Sequence, residues 1–88
     1  MVVIVTKQFE KDVQKELNKT LQLQLADIIE GLQKANNLQE ILNIKKLKGY
    51  KTAYRIRMGE YRIGFIFEEN TIKLSRVLNR KEIYRFFP

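Results

Sequence analysis

The sequence predicts an α+β fold: a small, antiparallel-rich, four-stranded sheet with two N-terminal helices packed on one face and a short C-terminal helix, in the order β-α-α-β-β-β-α. Three observations carry this. Apolar and polar residues alternate through Tyr54-Arg55-Ile56-Arg57-Met58 and again from Tyr61 to Phe67, as half-buried strands require. Leu21, Leu25, Ile28, Leu32 and Ala35 recur on one face of a helix. A third alternating run spans 72–78, after a turn-forming Glu68-Glu69-Asn70-Thr71. With 88 residues the chain makes one domain, 1–88, with a small core.

In chain order, Val2-Val3-Ile4-Val5 is wholly apolar and β-branched, and reads as a strand buried on both faces. Thr6 can cap a first helix, in which Phe9, Val13 and Leu17 form a narrow stripe and Lys11, Asp12, Lys15 and Glu16 cover the rest. Asn18-Lys19-Thr20 breaks that pattern, and Thr20 can cap the second helix. Gly31 inside it costs roughly 1 kcal/mol against alanine. Asn36-Asn37 ends it, and residues 38–44 fit either a helical turn or an extended connection.

Met58-Gly59-Glu60-Tyr61 fits a two-residue type II′ hairpin, whose first loop position needs a positive φ. Counting outward, Met58 faces Tyr61, Arg57 faces Arg62, Ile56 faces Ile63, Arg55 faces Gly64 and Tyr54 faces Phe65. One face is then a core, and the other gathers Arg55, Arg57 and Arg62, with Gly64 leaving open space beside Arg55. Opposed like charges destabilise a sheet by roughly a few tenths to 1 kcal/mol. The arrangement reads as an anion-binding hollow or as a solvated cationic face. With a Glu69-Asn70 loop, the next strand sets Ile72 against Phe67, Leu74 against Phe65, Ser75 against Gly64 and Val77 against Arg62. Arg76 then lies on the core side, where it must snorkel at an edge. Asn79-Arg80-Lys81-Glu82 has capping-box spacing and opens a helix over 80–87, with Ile83, Phe86 and Phe87 on its apolar side and Arg80 and Tyr84 adjacent on one face.

The net charge of +7 is unevenly spread: residues 1–44 hold five bases and six acids, whereas residues 45–88 hold twelve bases and four acids. Such asymmetry points to a polyanionic partner. Without cysteine or histidine, a disulfide framework, a thiolate metal site and an imidazole base are excluded. No run has signal-peptide or membrane-spanning length, so a soluble, cytoplasmic protein is expected.

Lys46-Leu47-Lys48-Gly49, the segment Tyr54-Arg55-Ile56-Arg57-Met58-Gly59-Glu60-Tyr61-Arg62 and the closing Arg80-Lys81-Glu82-Ile83-Tyr84 resemble the RelE/ParE superfamily of bacterial toxins over nearly the whole chain. The resemblance implies the toxin of a type II toxin–antitoxin pair, and a RelE-like member would cut mRNA in the ribosomal A site. It implies Arg55, Arg57, Arg62, Arg80 and Tyr84 as catalytic residues, and Lys46, Lys48, Lys51, Ser75, Arg76 and Lys81 as RNA contacts. It implies no cofactor, metal or membrane. The partners would be a cognate antitoxin, the ribosome and mRNA, and the toxin alone would be monomeric. Apolar grooves along Phe9, Val13 and Leu17, or beside the last helix, could take an antitoxin segment. Well-studied members have lysines in the first hairpin strand, where this chain has Arg55 and Arg57. Arginine stays protonated and makes a poor base. Clustered cations would instead favour the phenolate of Tyr84. A ParE-like inhibitor of DNA gyrase and a non-catalytic RNA- or antitoxin-binding module remain as alternatives.

Overall fold

A computed structural model describes residues 1–88. Strand β1 (Val2–Val5) leads into helices α1 (Lys7–Glu16) and α2 (Lys19–Lys34), then a 3₁₀ turn (Leu38–Glu40). Strands β2 (Ile44–Lys46), β3 (Ala53–Met58), β4 (Tyr61–Glu68) and β5 (Thr71–Asn79) follow, and α3 (Ile83–Phe86) closes the fold. The sheet has five strands in the order β1-β5-β4-β3-β2, with β1 parallel to β5 and the other neighbours antiparallel. No helix is long and apolar enough to cross a membrane.

The class is as expected, but the sheet has one strand more. The additional strand is β2, only three residues long and carrying Lys45 and Lys46, a composition that suits an exposed edge. It pairs Ile44 with Ile56, Lys45 with Arg55 and Lys46 with Tyr54. At the opposite edge, β1 is not buried on both faces. Val2, Ile4 and Val5 are exposed and only Val3 is half-buried, because β1 has one neighbour and the helices cover a single face of the sheet.

Helices α1 and α2 bring Phe9, Leu17, Leu25 and Leu32 onto Ile56, Met58, Ile63, Phe65, Ile72, Leu74 and Val77. The α1 stripe is therefore core: Phe9 and Leu17 are buried and Val13 packs against them, so it leaves no open antitoxin groove. Thr6 caps α1 by accepting from the Phe9 amide, but Asn18, not Thr20, caps α2 by accepting from Leu21. Asn18 lies two residues before Thr20, directly after Leu17, the residue that closes α1.

The central hairpin has the expected register throughout, with Gly59 at φ +59° and no positive φ at Glu60, as a II′ turn demands. The second hairpin turns through Glu69 (φ +50°) and Asn70 (φ +57°), with Phe67 opposite Ile72 and Phe65 opposite Leu74. Beyond Phe65 the register shifts. Arg76, not Ser75, lies opposite Gly64; Val77 lies opposite Ile63, and Leu78 opposite Arg62. The irregularity sends Val77 into the main core, where strict alternation would have put Arg76.

Arg76 instead reaches Asp12 of α1. Its Nε and Nη2 donate to Asp12 Oδ2 and Oδ1 at 2.8 and 3.1 Å, while the Val77 amide donates to Oδ2 at 3.1 Å and Gln8 Nε2 to Oδ1 at 3.1 Å. Asp12, expected on the solvent side, is 3% exposed. Its carboxylate takes up the edge of β5 where β1 has ended, just beyond the Thr6 hydroxyl, which donates to Leu74 O. Arg76 therefore neither snorkels freely nor offers an unpaired charge to RNA.

The C-terminal segment also departs from expectation. Asn79 belongs to β5, and its Oδ1 accepts from the Lys81 amide in a tight turn, so no capping box forms and α3 is a single turn. Ile83 and Phe87 then fold onto the sheet face opposite α1 and α2, forming a second small core with Ala53 and Leu78. Phe86 stays outside, about half exposed, beneath the Arg76 guanidinium.

Removing one partner of a buried, hydrogen-bonded ion pair costs about 3–5 kcal/mol. Asp12→Ala is expected to lower the unfolding free energy by about that amount in urea denaturation. The paired change Asp12→Leu with Arg76→Leu should cost clearly less, because no buried charge is then left alone.

Candidate nucleic-acid interface

Alternation sets the site. Arg55 and Arg57 project from β3 on the face away from the main core, and Arg62 projects from β4 opposite Arg57. Lys45 joins them from β2, opposite Arg55. The turn into β2 is held by Asn43 (φ +61°), whose carbonyl accepts from the Arg57 amide at 3.0 Å and whose Oδ1 accepts from Arg57 Nη2 at 3.4 Å. Arg62 Nη1 donates to Gly59 O at 2.8 Å and Tyr61 O at 2.9 Å. Neutral oxygens thus orient both guanidinium groups without cancelling their charge.

The open space expected beside Gly64 is filled. A Cβ at Gly64 would lie 2.6 Å from Cγ and Cδ2 of Phe87, so only glycine admits the ring there. Phe87 carries α3 with it and sets Tyr84 beside Arg55, whose guanidinium carbon is 4.7 Å from the Tyr84 ring centroid. What remains is two adjoining hollows. One, of about 400 Å³, is lined by Asn43, Ile44, Lys45, Arg55, Arg57, Arg62 and Tyr84. The other, of about 320 Å³, lies between the 47–52 loop and the C-terminal segment and shares Lys45, Arg55 and Tyr84 with the first.

Neither hollow has an acidic side chain in its lining, and the three ion pairs of the chain, Glu30–Lys34, Asp12–Arg76 and Glu60–Arg80, all lie elsewhere. The uncompensated charge acts on Tyr84, whose phenol is 72% exposed. Its pKa is held below the ordinary tyrosine value, first by the donor groups and charge of Arg55 and then by the charges of Lys45 and Arg62. In this conformation the Arg55 guanidinium lies over the ring face.

The structure brings Arg55, Arg57, Arg62 and Tyr84 together and sets Lys46 and Lys48 in the lining of the second hollow. Arg80 stands apart. It sits in the turn after β5, its amide donating to Glu60 O and its Nε 3.5 Å from Glu60 Oε1 in an exposed pair. Lys51 and Lys81 are exposed outside both linings, Ser75 Oγ donates to Lys73 O on β5, and Arg76 is held by Asp12. Lys45 and Asn43 were not among the expected site residues. Ile44-Lys45-Lys46 carries no local signal for Lys45, whose place beside Arg55 follows only from the pairing of this tripeptide with β3.

Relieving this repulsion should stabilise the fold. Arg57→Gln, at an exposed position opposite Arg62, is expected to raise the unfolding free energy by up to about 1 kcal/mol, measured by urea denaturation at low salt, with the gain shrinking as salt is added.

Comparison with known proteins agrees with this architecture. Residues 3–84 match the family described as ParE toxin of type II toxin-antitoxin system, parDE. The chain is 45% identical to Toxin RelE3 of Methanocaldococcus jannaschii over 89 aligned positions, covering the whole of both. Among solved structures it is similar to the RelB-RelE antitoxin-toxin complex from Methanococcus jannaschii, with a TM-score of 0.82 and 44% identity over 97% of this chain and 99% of the other. The archaeal RelE-RelB complex from Pyrococcus horikoshii OT3 superposes with a TM-score of 0.71 and 25% identity, over 90% of this chain and 93% of the other. The chain belongs to the RelE/ParE superfamily of type II toxins.

Proposed function

We propose that this toxin is an endoribonuclease that cuts ribosome-bound mRNA and is held inactive by a cognate antitoxin, as the RelB-RelE complexes of its relatives suggest. The observation that carries the reading is the convergence of Lys45, Arg55, Arg57, Arg62 and Tyr84 on one hollow without a carboxylate. A scissile phosphate placed there gains charge on its non-bridging oxygens as the neighbouring 2′-oxygen attacks. The planar forks of Arg57 and Arg62 suit that charge. The new bond joins the 2′-oxygen to phosphorus and the bond to the 5′-oxygen breaks, leaving a 2′,3′-cyclic phosphate and a 5′-hydroxyl. Tyr84, with its lowered pKa, takes the 2′-proton. The Lys45 ammonium gives a proton to the 5′-oxygen, which a guanidinium does poorly. Arg55 holds Tyr84 and a second phosphate oxygen, and Arg80, free to leave its exposed pair with Glu60, contacts a flanking phosphate. In-line placement of the 2′-oxygen supplies much of the acceleration, about 7–11 kcal/mol where geometry is good, and the ribosome provides that placement.

The test is primer extension on an in vitro translation reaction supplemented with the purified toxin. Codon-phased cuts are expected, reduced about 100-fold or more in Arg62→Ala. Intact mRNA with inhibited gyrase supercoiling would instead assign the ParE-type activity. The cleavage rate should rise with pH as the phenol ionises, with an inflection below the value of about 10 for free tyrosine. Arg55→Gln should move that inflection upward. Tyr84→Phe should remove it and lose far more cleavage than ribosome binding; equal losses would exclude a role in proton transfer.

A further inference from the structure

We propose that the hollow between the 47–52 loop and the C-terminal segment is a second nucleotide subsite, which takes the base and phosphate next to the scissile phosphate on a single-stranded RNA. The inference rests on the cleavage reading for the strand that enters, but its own support is separate. Of the four tyrosines, two are committed to the fold: Tyr54 stacks on Phe65 with ring centroids 5.4 Å apart, and the Tyr61 hydroxyl donates to Glu16 O. The other two, Tyr50 and Tyr84, are exposed, and both line this one hollow. Four cations line it with them, Lys45, Lys46, Lys48 and Arg55, and no acidic side chain does.

The loop that presents Tyr50 is anchored rather than slack. The Leu47 amide donates to Ala53 O at 2.9 Å, the Leu47 side chain packs on the second core, and Gly49 (φ +86°) turns the chain so that the Tyr50 amide reaches Leu47 O at 3.3 Å. Lys46 and Lys48 therefore flank a half-buried leucine, at the rim of the hollow. A volume of about 320 Å³ falls at the small end of the range for ligand sites, about 300–1,000 Å³. Aromatic faces interleaved with cations match an RNA strand, in which bases and phosphates alternate, whereas an acidic peptide has no use for two exposed rings. Arg55 covers one face of Tyr84, so the free stacking surface is the other face together with Tyr50. Because Lys45, Arg55 and Tyr84 line both hollows, one strand passes from the first to the second without leaving the basic surface.

Fluorescence anisotropy of a labelled mixed-sequence hexaribonucleotide, titrated at low salt with the intact chain, reads this subsite without a ribosome. Tyr50→Ala is expected to weaken binding about tenfold, as loss of one base–aromatic stack does, and Tyr50→Phe to retain it. Lys48→Ala should reduce the slope of log affinity against log salt by about 0.7. A ribose-phosphate hexamer lacking bases should bind wild type and Tyr50→Ala alike. Equal binding of the RNA by wild type and Tyr50→Ala would overturn the subsite. So would a hexaglutamate peptide that binds with the same dependence on Tyr50, which would give the hollow to an acidic protein segment. Failure of the cleavage reading shows separately, as intact mRNA in the translation reaction while hexamer binding keeps its dependence on Tyr50.

Discussion

A glycine in the middle of β4 leaves a gap one side chain wide on the outer face of the sheet, and the Phe87 ring rests in it. That contact does two things at once. With Ala53, Leu78 and Ile83 it gives a one-turn helix enough buried apolar surface to stay docked, which a helix of that length cannot manage by its own hydrogen bonds. It also fixes where the helix lies along the sheet, and so places Tyr84 against Arg55 rather than in open solvent. The two hollows are the spaces left on either side of that tyrosine.

The chain treats its two groups of arginine in opposite ways. Arg76 meets a buried carboxylate with bidentate geometry, and the same carboxylate closes the edge of β5, so this charge works for the fold. Arg55, Arg57 and Arg62 meet only neutral oxygens, an aromatic ring and one another. Their repulsion is a cost the fold carries from the Asp12–Arg76 side and from two apolar clusters on opposite faces of the sheet. A site poised for a phosphate before the phosphate arrives has this character, because any carboxylate that relieved the strain would compete with the ligand.

Much of this was legible from residues alone where the code is local. Alternation across Met58-Gly59-Glu60-Tyr61 gave five of the six pairs of the central hairpin, and hence the arginine face. Three features were not legible, each because a distant partner decides it. The irregularity beside Ser75 depends on Asp12, some sixty residues earlier. Residues Ile44–Lys46 become a strand only because β3 offers a free edge, since two lysines in three residues carry no strand propensity of their own. The helix over 80–87 shrinks to one turn because Asn79 completes β5 and Phe87 is drawn to Gly64, and this takes Arg80 away from Tyr84. Arg76 was misplaced for the same reason, by counting register past a point where the sheet does not keep it.

The chain of cause from Gly64 to Phe87 to Tyr84 ends in an acidity that can be measured directly. Titration of the Tyr84 ring by ¹³C NMR, in wild type and in Gly64→Ala, follows it without RNA or ribosome. The phenol should ionise below the usual tyrosine value in wild type and return toward it in Gly64→Ala, where the added methyl group pushes Phe87 away. A Tyr84 that titrates like free tyrosine in the wild type, or that keeps its lowered value in Gly64→Ala, would contradict the account.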